Sequence, residues 1–473
     1  MVRSNKVFRL LSNVMTFALG GVGTKIITFL LVPLYTRLLS TTEYGTIDII
    51  FNLITAVIPI VSLSIFDAVF RFSLDGQMSK ERLFSNGLFI TLIGSVGSIG
   101  LGTIMSLTFN VKYAFLFGVL LSLNAITSLF LNFIRGIGQV KTFSASGFIS
   151  AITGAMLNIF VLAYLGMGVS GYLMASIVNA IIISVFLWLF CGLHRYVFIS
   201  VIQLSDIKRL LKYSTPLIPN SFAWWFTLAA SRYFILFFVG VGATGIFAVA
   251  NKVPSLLNML FGFFSQAWQI SAVKTKSDAD ASEFYSSVFN NSVRFMFVVI
   301  SVLSLLSESI VRTFLASNYL EAWRVIPILL LATLFSNMSG LLGTTYLAYK
   351  DTKMIMVTTV IGMILNGILN LIFVPLFGLN GAGFGSAVGF GAVMLIRLID
   401  TRRYKPVKTS AAVWMVNVTA FAILTYGLLT SAISFVILTG LVVFIGIYNL
   451  YPIVRVIVKK RDVVNATMPL EEN

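Results

Sequence analysis

The chain has 473 residues, 58% of them hydrophobic and only 10% charged, with a formal net charge of +17. A water-soluble domain carries about 25% charged residues, so the composition excludes one. One cysteine and one histidine exclude a disulfide framework and a multi-cysteine metal site, and the scatter of the cations through short segments between apolar runs argues against a nucleic-acid surface.

The apolar runs match the roughly 20 residues that a helix needs to cross a bilayer. They lack the ten-residue alternation of a membrane barrel. The reading is an all-α polytopic membrane protein. Spans are predicted at 12–36, 44–69, 83–107, 113–134, 143–165, 169–193, 213–238, 244–270, 285–307, 322–346, 354–376, 381–400, 411–430 and 434–457, about fourteen in all. Arg3, Lys6 and Arg9 precede the first run, but that run extends from Leu11 to Leu38, too long for the apolar core of a signal peptide.

Loop charge orients the spans. The N-terminus, the even-numbered connections and the C-terminal tail hold most cations, among them Lys80, Arg82, Arg135, Lys141, Lys208, Lys353, Arg397 and Arg402. The odd-numbered connections hold only Arg37, Lys112, Arg312 and Arg324. By the positive-inside rule both termini are cytoplasmic, which requires an even number of spans. The longest cytoplasmic connection, 194–212, carries His194, Arg195, Asp206, Lys208, Arg209 and Lys212, and reads as a solvated linker.

A repeat runs across that linker. Leu157-Asn158 followed by Gly166, Gly171 and Tyr172 corresponds to Leu369-Asn370 followed by Gly378, Gly383 and Phe384, and Lys141 corresponds to Lys353, all at an offset of 212. Tyr44-Gly45 and Thr244-Gly245 correspond at an offset of 200. Since the offset contains an even number of spans, the repeats are parallel. The expected organisation is an N-terminal lobe over 1–200, a C-terminal lobe over 201–407, and two extra helices with a tail over 408–473. The two six-helix lobes would flank a central cavity.

There is no phosphate-binding Gly-Lys-Ser/Thr loop, no zinc motif and no extramembrane segment long enough for a catalytic domain, so the chain reads as a non-enzyme without cofactor or metal. The informative residues are charges within spans, which are costly there and mark function by default. Lys25, Arg232, Lys252 and Arg294 are the candidates for holding an anion, since arginine offers a bidentate fork and lysine a point charge. Asp48 is a candidate for ion coupling. Trp224 and Trp225, near mid-depth in the seventh span, are candidate sugar contacts. Asn158, Asn366, Asn370, Gln266 and Gln269 offer amides to a glycan or to neighbouring helices. Pro33, Pro59, Pro216, Pro219, Pro254, Pro327 and Pro375 interrupt spans and permit kinks.

The opening segment, Leu19-Gly20-Gly21 through Pro33-Leu34-Tyr35-Thr36-Arg37-Leu38-Leu39-Ser40-Thr41-Thr42-Glu43-Tyr44-Gly45, resembles the N-terminus of bacterial polysaccharide flippases. These are the Wzx-like members of the multidrug/oligosaccharidyl-lipid/polysaccharide exporter superfamily. The resemblance implies translocation of an undecaprenyl-pyrophosphate-linked oligosaccharide, such as an O-antigen or capsule repeat unit, across the bacterial inner membrane. It implies alternating access, with the lipid-linked oligosaccharide, the bilayer, and the polysaccharide polymerase and chain-length machinery as partners. The alternatives are a multidrug efflux antiporter and a peptidoglycan lipid-precursor flippase of the same superfamily.

Overall fold

The computed structural model describes residues 27 to 467, apart from 28, 77, 276–279, 350 and 405. The described residues form helices joined by turns and contain no strand. In chain order the α-helices are α1 (Val32–Leu38), α2 (Thr41–Val61), α3 (Ile65–Asp75), α4 (Lys80–Phe109), α5 (Ala114–Gly136), α6 (Val140–Ile159), α7 (Gly168–Phe190), α8 (Leu204–Ser214) and α9 (Leu217–Phe238). They continue as α10 (Val241–Ala250), α11 (Lys252–Thr275), α12 (Ala281–Leu305), α13 (Ser307–Phe314), α14 (Ala322–Ala348), α15 (Thr352–Asp400), α16 (Ala411–Thr430) and α17 (Phe435–Thr467).

Eleven segments among the described residues are helical, long and apolar enough to cross a membrane. The chain is thus a multi-pass membrane protein. The segment Lys353–Arg403 has 51 residues, and it covers the predicted spans 354–376 and 381–400. It breaks at Gly378, whose φ of 58° and ψ of −131° only glycine adopts readily. Its repeat partner Gly166 also has a positive φ, 63°. The repeat therefore has a local cause, since each glycine turns the chain out of one span and into the next. The predicted span 44–69 is two helices. Pro59 lies in the last turn of α2, and Leu63 and Ser64 follow with φ near 50°, so α3 leaves in a new direction. The seventh predicted span is α9, which includes a shorter apolar helical stretch, Ala229–Phe238, among the described residues. The predicted first span falls for the most part outside the described residues.

Contacts divide the chain into two compact units, Met1–Ala248 and Val249–Asn473. In the first, Ile65, Leu83, Phe84, Leu129, Phe133 and Leu187 form a core between α3, α4, α5 and α7. Lipid is as apolar as leucine, so close backbone approach has to supply much of the association. A Cβ on Gly102 would lie 2.6 Å from the Ala114 carbonyl oxygen, and one on Gly118 2.5 Å from that of Ser98, so α4 and α5 cross on glycines. Gly45 and Gly245, the pair at offset 200, meet across α2 and α10 in the same way. A Cβ on either would run into the carbonyl of Val241 or Thr41.

The expected solvated linker is instead fastened to α4. Arg82 pairs with the buried Asp206 at 2.7 Å and donates to Gln203. The Ser85 hydroxyl donates to the Tyr196 carbonyl and accepts from the Phe198 N–H, and Asn86 Oδ1 accepts from the Gln203 N–H. The segment contains two short 3-10 turns and the amphipathic helix α8.

In the second unit, α14 is the most enclosed helix, lying against α11, α12 and both halves of α15. Arg397 was assigned to a cytoplasmic connection by its place at the end of an apolar run. The structure buries it, with 7% of its surface exposed. Its Nε donates to Thr358 Oγ1 at 3.0 Å, Nη1 to the Ser339 carbonyl at 3.0 Å and Nη2 to Thr359 Oγ1 at 3.1 Å. Three donors to neutral oxygens replace the lost hydration and tie α14 to the two halves of α15.

Candidate functional site

The N-terminal unit contains a cavity of about 420 Å³. It lies among α5, α6 and α7, with Tyr35 of α1 and Phe51 of α2 closing one side. Each helix contributes small or polar residues where they face one another: Asn124 and Thr127 from α5, Ser150 and Asn158 from α6, Asn179 from α7. Among the described residues, none that lines it is charged.

The polar groups of the wall are mutually oriented. Thr153 donates to Asn179 Oδ1 at 2.5 Å, and Asn179 Nδ2 donates to Ser150 Oγ at 3.1 Å. The hydroxyls of Thr127 and Ser184 are 2.9 Å apart. The ring of Tyr172 meets those of Tyr35 and Phe51 edge-on, at centroid distances of 5.5 and 5.7 Å. Asn158 is 6% exposed. Its Nδ2 donates to the Gly154 carbonyl at 2.9 Å, which fixes the orientation of the amide. Its Oδ1 is buried and has no hydrogen-bond partner. Immediately after it, α6 widens into a π-helical turn, Phe160–Tyr164. Such turns recur at functional sites.

Next to this cavity wall, α2 and α9 meet through Asp48 and Arg232. Arg232 Nε donates to Asp48 Oδ2 at 2.8 Å, and both side chains are about five-sixths buried, at 16% and 15% exposure. The sequence presented the two as separate candidates, 184 residues apart, and the fold joins them. The contact is reinforced by Trp225, whose indole N–H donates to the Asn52 carbonyl at 2.9 Å while its ring lies 5.3 Å from those of Phe222 and Tyr233. With its donor in use, Trp225 serves the α2–α9 contact. Trp224 also lies in α9, and its side chain is outside those described.

The other candidates are dispersed. Lys25 lies outside the described residues. Lys252 opens α11 in the second unit and is half-buried. Arg294 on α12 faces α17: its Nη1 donates to the Tyr448 carbonyl at 3.2 Å, and the guanidinium lies 5.5 Å from the Tyr448 ring centre. Asn366 and Asn370 are buried in the second unit, where Asn370 Nδ2 donates to the Asn366 carbonyl and Oδ1, each at 2.8 Å. Among the described residues no group of three histidine, cysteine, aspartate or glutamate side chains is placed to hold a metal. Sequence reasoning missed Tyr35, Asn124, Ser150 and Asn179 as a set. The available signal was the recurrence of amides in the fourth, fifth and sixth spans.

Solved structures with the same fold are membrane transporters. A lipid II flippase, MurJ, in an inward closed conformation superposes with a TM-score of 0.68 at 14% identity, over 94% of this chain and 100% of that one. An inward-facing multidrug resistance MATE family transporter of the MOP superfamily gives 0.63 at 13% identity, over 83% and 93%. A MOP superfamily transporter from Pyrococcus furiosus gives 0.58 at 14%, over 82% and 94%. No curated protein sequence matches the chain. The family described as polysaccharide biosynthesis protein matches residues 10–269, more than half of the sequence and including the N-terminal motif on which the resemblance rested. The chain belongs to the polysaccharide biosynthesis protein family and carries the fold of the MOP superfamily transporters.

Proposed function

We propose that the protein is a flippase of the bacterial inner membrane, with cytoplasmic termini. It would move undecaprenyl-pyrophosphate-linked oligosaccharide repeat units to the outer leaflet for surface polysaccharide assembly, where the polymerase and chain-length machinery receive them. The observation that carries the reading is a buried arginine, Arg232, paired with the carboxylate of Asp48 inside a transporter fold of a polysaccharide biosynthesis family.

A buried ion pair costs desolvation of both partners, and its net contribution to stability is often small. A pair of that kind is suited to exchange. In this reading the pyrophosphate takes the guanidinium of Arg232 from Asp48, together with Lys25, Lys252 and Arg294 at other stages of the passage. Asp48, released, takes up a proton or cation and so couples the cycle to an ion gradient. Alternating access then follows from pairing that changes with occupancy.

The test is glycan output in a deletion strain and flipping of a lipid-linked oligosaccharide by the purified protein in liposomes. Arg232→Ala leaves Asp48 buried without its partner and is expected to lower flipping at least tenfold. Asp48→Asn is expected to retain substrate binding but to lose dependence on the ion gradient. Wild-type flipping by Lys25→Ala, Arg232→Ala and Lys252→Ala, at normal protein levels, would rule out the cationic site. The peptidoglycan lipid-precursor flippase is the second reading, favoured by the full-length superposition on MurJ. Rescue of a strain depleted of its precursor flippase separates the two.

A further inference from the structure

We infer that the cavity of the N-terminal unit holds an uncharged sugar residue of the transported glycan, with the Asn158 amide oxygen as its acceptor for a sugar hydroxyl. The inference rests on the flippase reading and adds to it the place and the chemistry of sugar selection. Three observations on the cavity carry it.

The first is the unused acceptor. A buried amide oxygen left without a donor costs about 1–3 kcal/mol, and the rest of this wall shows the sequence able to pair its polar groups. Asn179 uses both ends of its amide, and Thr127 finds Ser184. Asn158 alone among these groups keeps a buried oxygen with no partner, and it keeps it where the wall faces an opening.

The second is the balance of the wall. Amides and hydroxyls both donate and accept, as sugar hydroxyls do. Among the described lining residues a free inorganic anion finds no cation, and a cation no carboxylate. Against those residues a uronic acid or other charged sugar would be desolvated without a counter-charge. The faces of Tyr35 and Tyr172 suit the C–H face of a sugar ring, an amphipathic surface on an amphipathic partner. The volume, about 420 Å³, lies within the range of small-ligand sites, roughly 300–1,000 Å³.

The third is the contrast with the second unit at an offset of 212. The lining residues Ser146, Gly147 and Ser150 correspond to Thr358, Thr359 and Gly362. There, Thr358 and Thr359 are taken by Arg397, and a Cβ on Gly362 would lie 2.6 Å from Val393 Cγ2. The second unit fills the equivalent place, and the first keeps it open.

The test uses the full-length purified protein in liposomes and a prenyl-pyrophosphate-linked neutral disaccharide carrying a diazirine on the sugar. A second probe replaces one neutral sugar with a uronic acid, and a third is prenyl pyrophosphate alone. On illumination the neutral probe should label peptides within 27–51 or 120–183, with labelling reduced at least tenfold by Asn158→Leu and by Gly147→Phe. A Cβ on Gly147 meets no heavy atom within 4 Å, so the phenylalanine extends into the cavity without a backbone clash. Both variants should elute as monodisperse protein. The neutral probe should be flipped at least tenfold faster than the acidic one.

Labelling outside both 27–51 and 120–183, or unchanged labelling and flipping in both variants, overturns the inference and leaves the flippase reading standing. If the wild-type protein flips none of the three probes, the flippase reading itself fails. Competition of labelling by the unlabelled disaccharide, but not by prenyl pyrophosphate, assigns the site to the sugar. The reverse pattern assigns it to the lipid and overturns the inference.

Discussion

Asn158 and Asn370 occupy corresponding places in the two halves of the sequence, and their surroundings differ in kind. The amide oxygen of each is buried without a hydrogen-bond partner, but Asn158 borders a cavity. Asn370 is wholly buried, its amide nitrogen donating to Asn366 and its flank pressed against Gly385, where an added Cβ would lie 3.3 Å from Asn370 Nδ2. The residue at the place of Asn366 in the first half is Gly154, which contributes no side chain. Corresponding places are thus open in the first unit and filled in the second. Duplicated lobes need not duplicate a site: the filled copy provides rigidity and the open copy provides a place for a ligand.

The comparison breaks most visibly at Arg397. Arg397→Met removes three hydrogen bonds from a charged donor and leaves the hydroxyls of Thr358 and Thr359 only their bonds to carbonyls of their own helix. The expected cost is on the order of 4 kcal/mol, from the usual worth of such bonds. Thermal unfolding of the detergent-purified protein should show a large drop in midpoint. An unchanged midpoint would mean that the second unit is not held together at this point. A smaller contrast separates the two asparagines. Asn370→Leu should lower stability by about 1–2 kcal/mol by leaving Asn366 Oδ1 without its donor. Asn158→Leu removes a donor bond only to the Gly154 carbonyl of its own helix and leaves no side-chain acceptor stranded, so it should leave stability within about 0.5 kcal/mol of wild type while reducing flipping. Equal losses of stability in both would remove the distinction between a filled and an open copy.

The smallest effect is expected at the start of α15, where the charges are exposed. Asp351 accepts from the Met354 N–H and from the Tyr404 hydroxyl, and Arg403 lies 3.2 Å away. The Tyr404 hydrogen bond, with the backbone bond and the nearby cations, holds the Asp351 carboxyl below its ordinary value. A carboxylate lowered in the folded state stabilises above the unfolded value of about 4 and loses that contribution as pH falls through the lowered value. The stability difference between wild type and Asp351→Asn should therefore be flat from pH 7 to pH 5 and shrink below about pH 4. A difference that changes between pH 7 and pH 5 would point to another group.

Much of the helical framework was legible because apolar runs and loop charge are local properties of the chain. The glycines of the repeat were legible too, and Gly166 and Gly378 prove to share a positive φ, which glycine makes accessible. The partners of charged residues were not legible. Asp48 and Arg232 are joined only when α2 and α9 pack, and Arg397 is sheltered by threonines 38 and 39 residues away. Its position at the end of a hydrophobic run gave the ordinary interfacial reading. The cavity was the least legible feature, because it is a space between helices, set by where small residues such as Gly147 and Ser150 fail to fill it.

The π-helical turn at Phe160–Tyr164 has a consequence for the direction in which Asn158 faces. A π turn accommodates about one residue more than the α-helical turn it interrupts. Each residue accounts for about 100° of helix rotation. Removing one residue from 160–164 would restore a regular helix and swing Asn158 by about that angle relative to the turn at Gly166. A one-residue deletion is therefore a finer instrument here than any substitution. It would keep the composition of the span nearly intact and change only the direction in which its polar face looks.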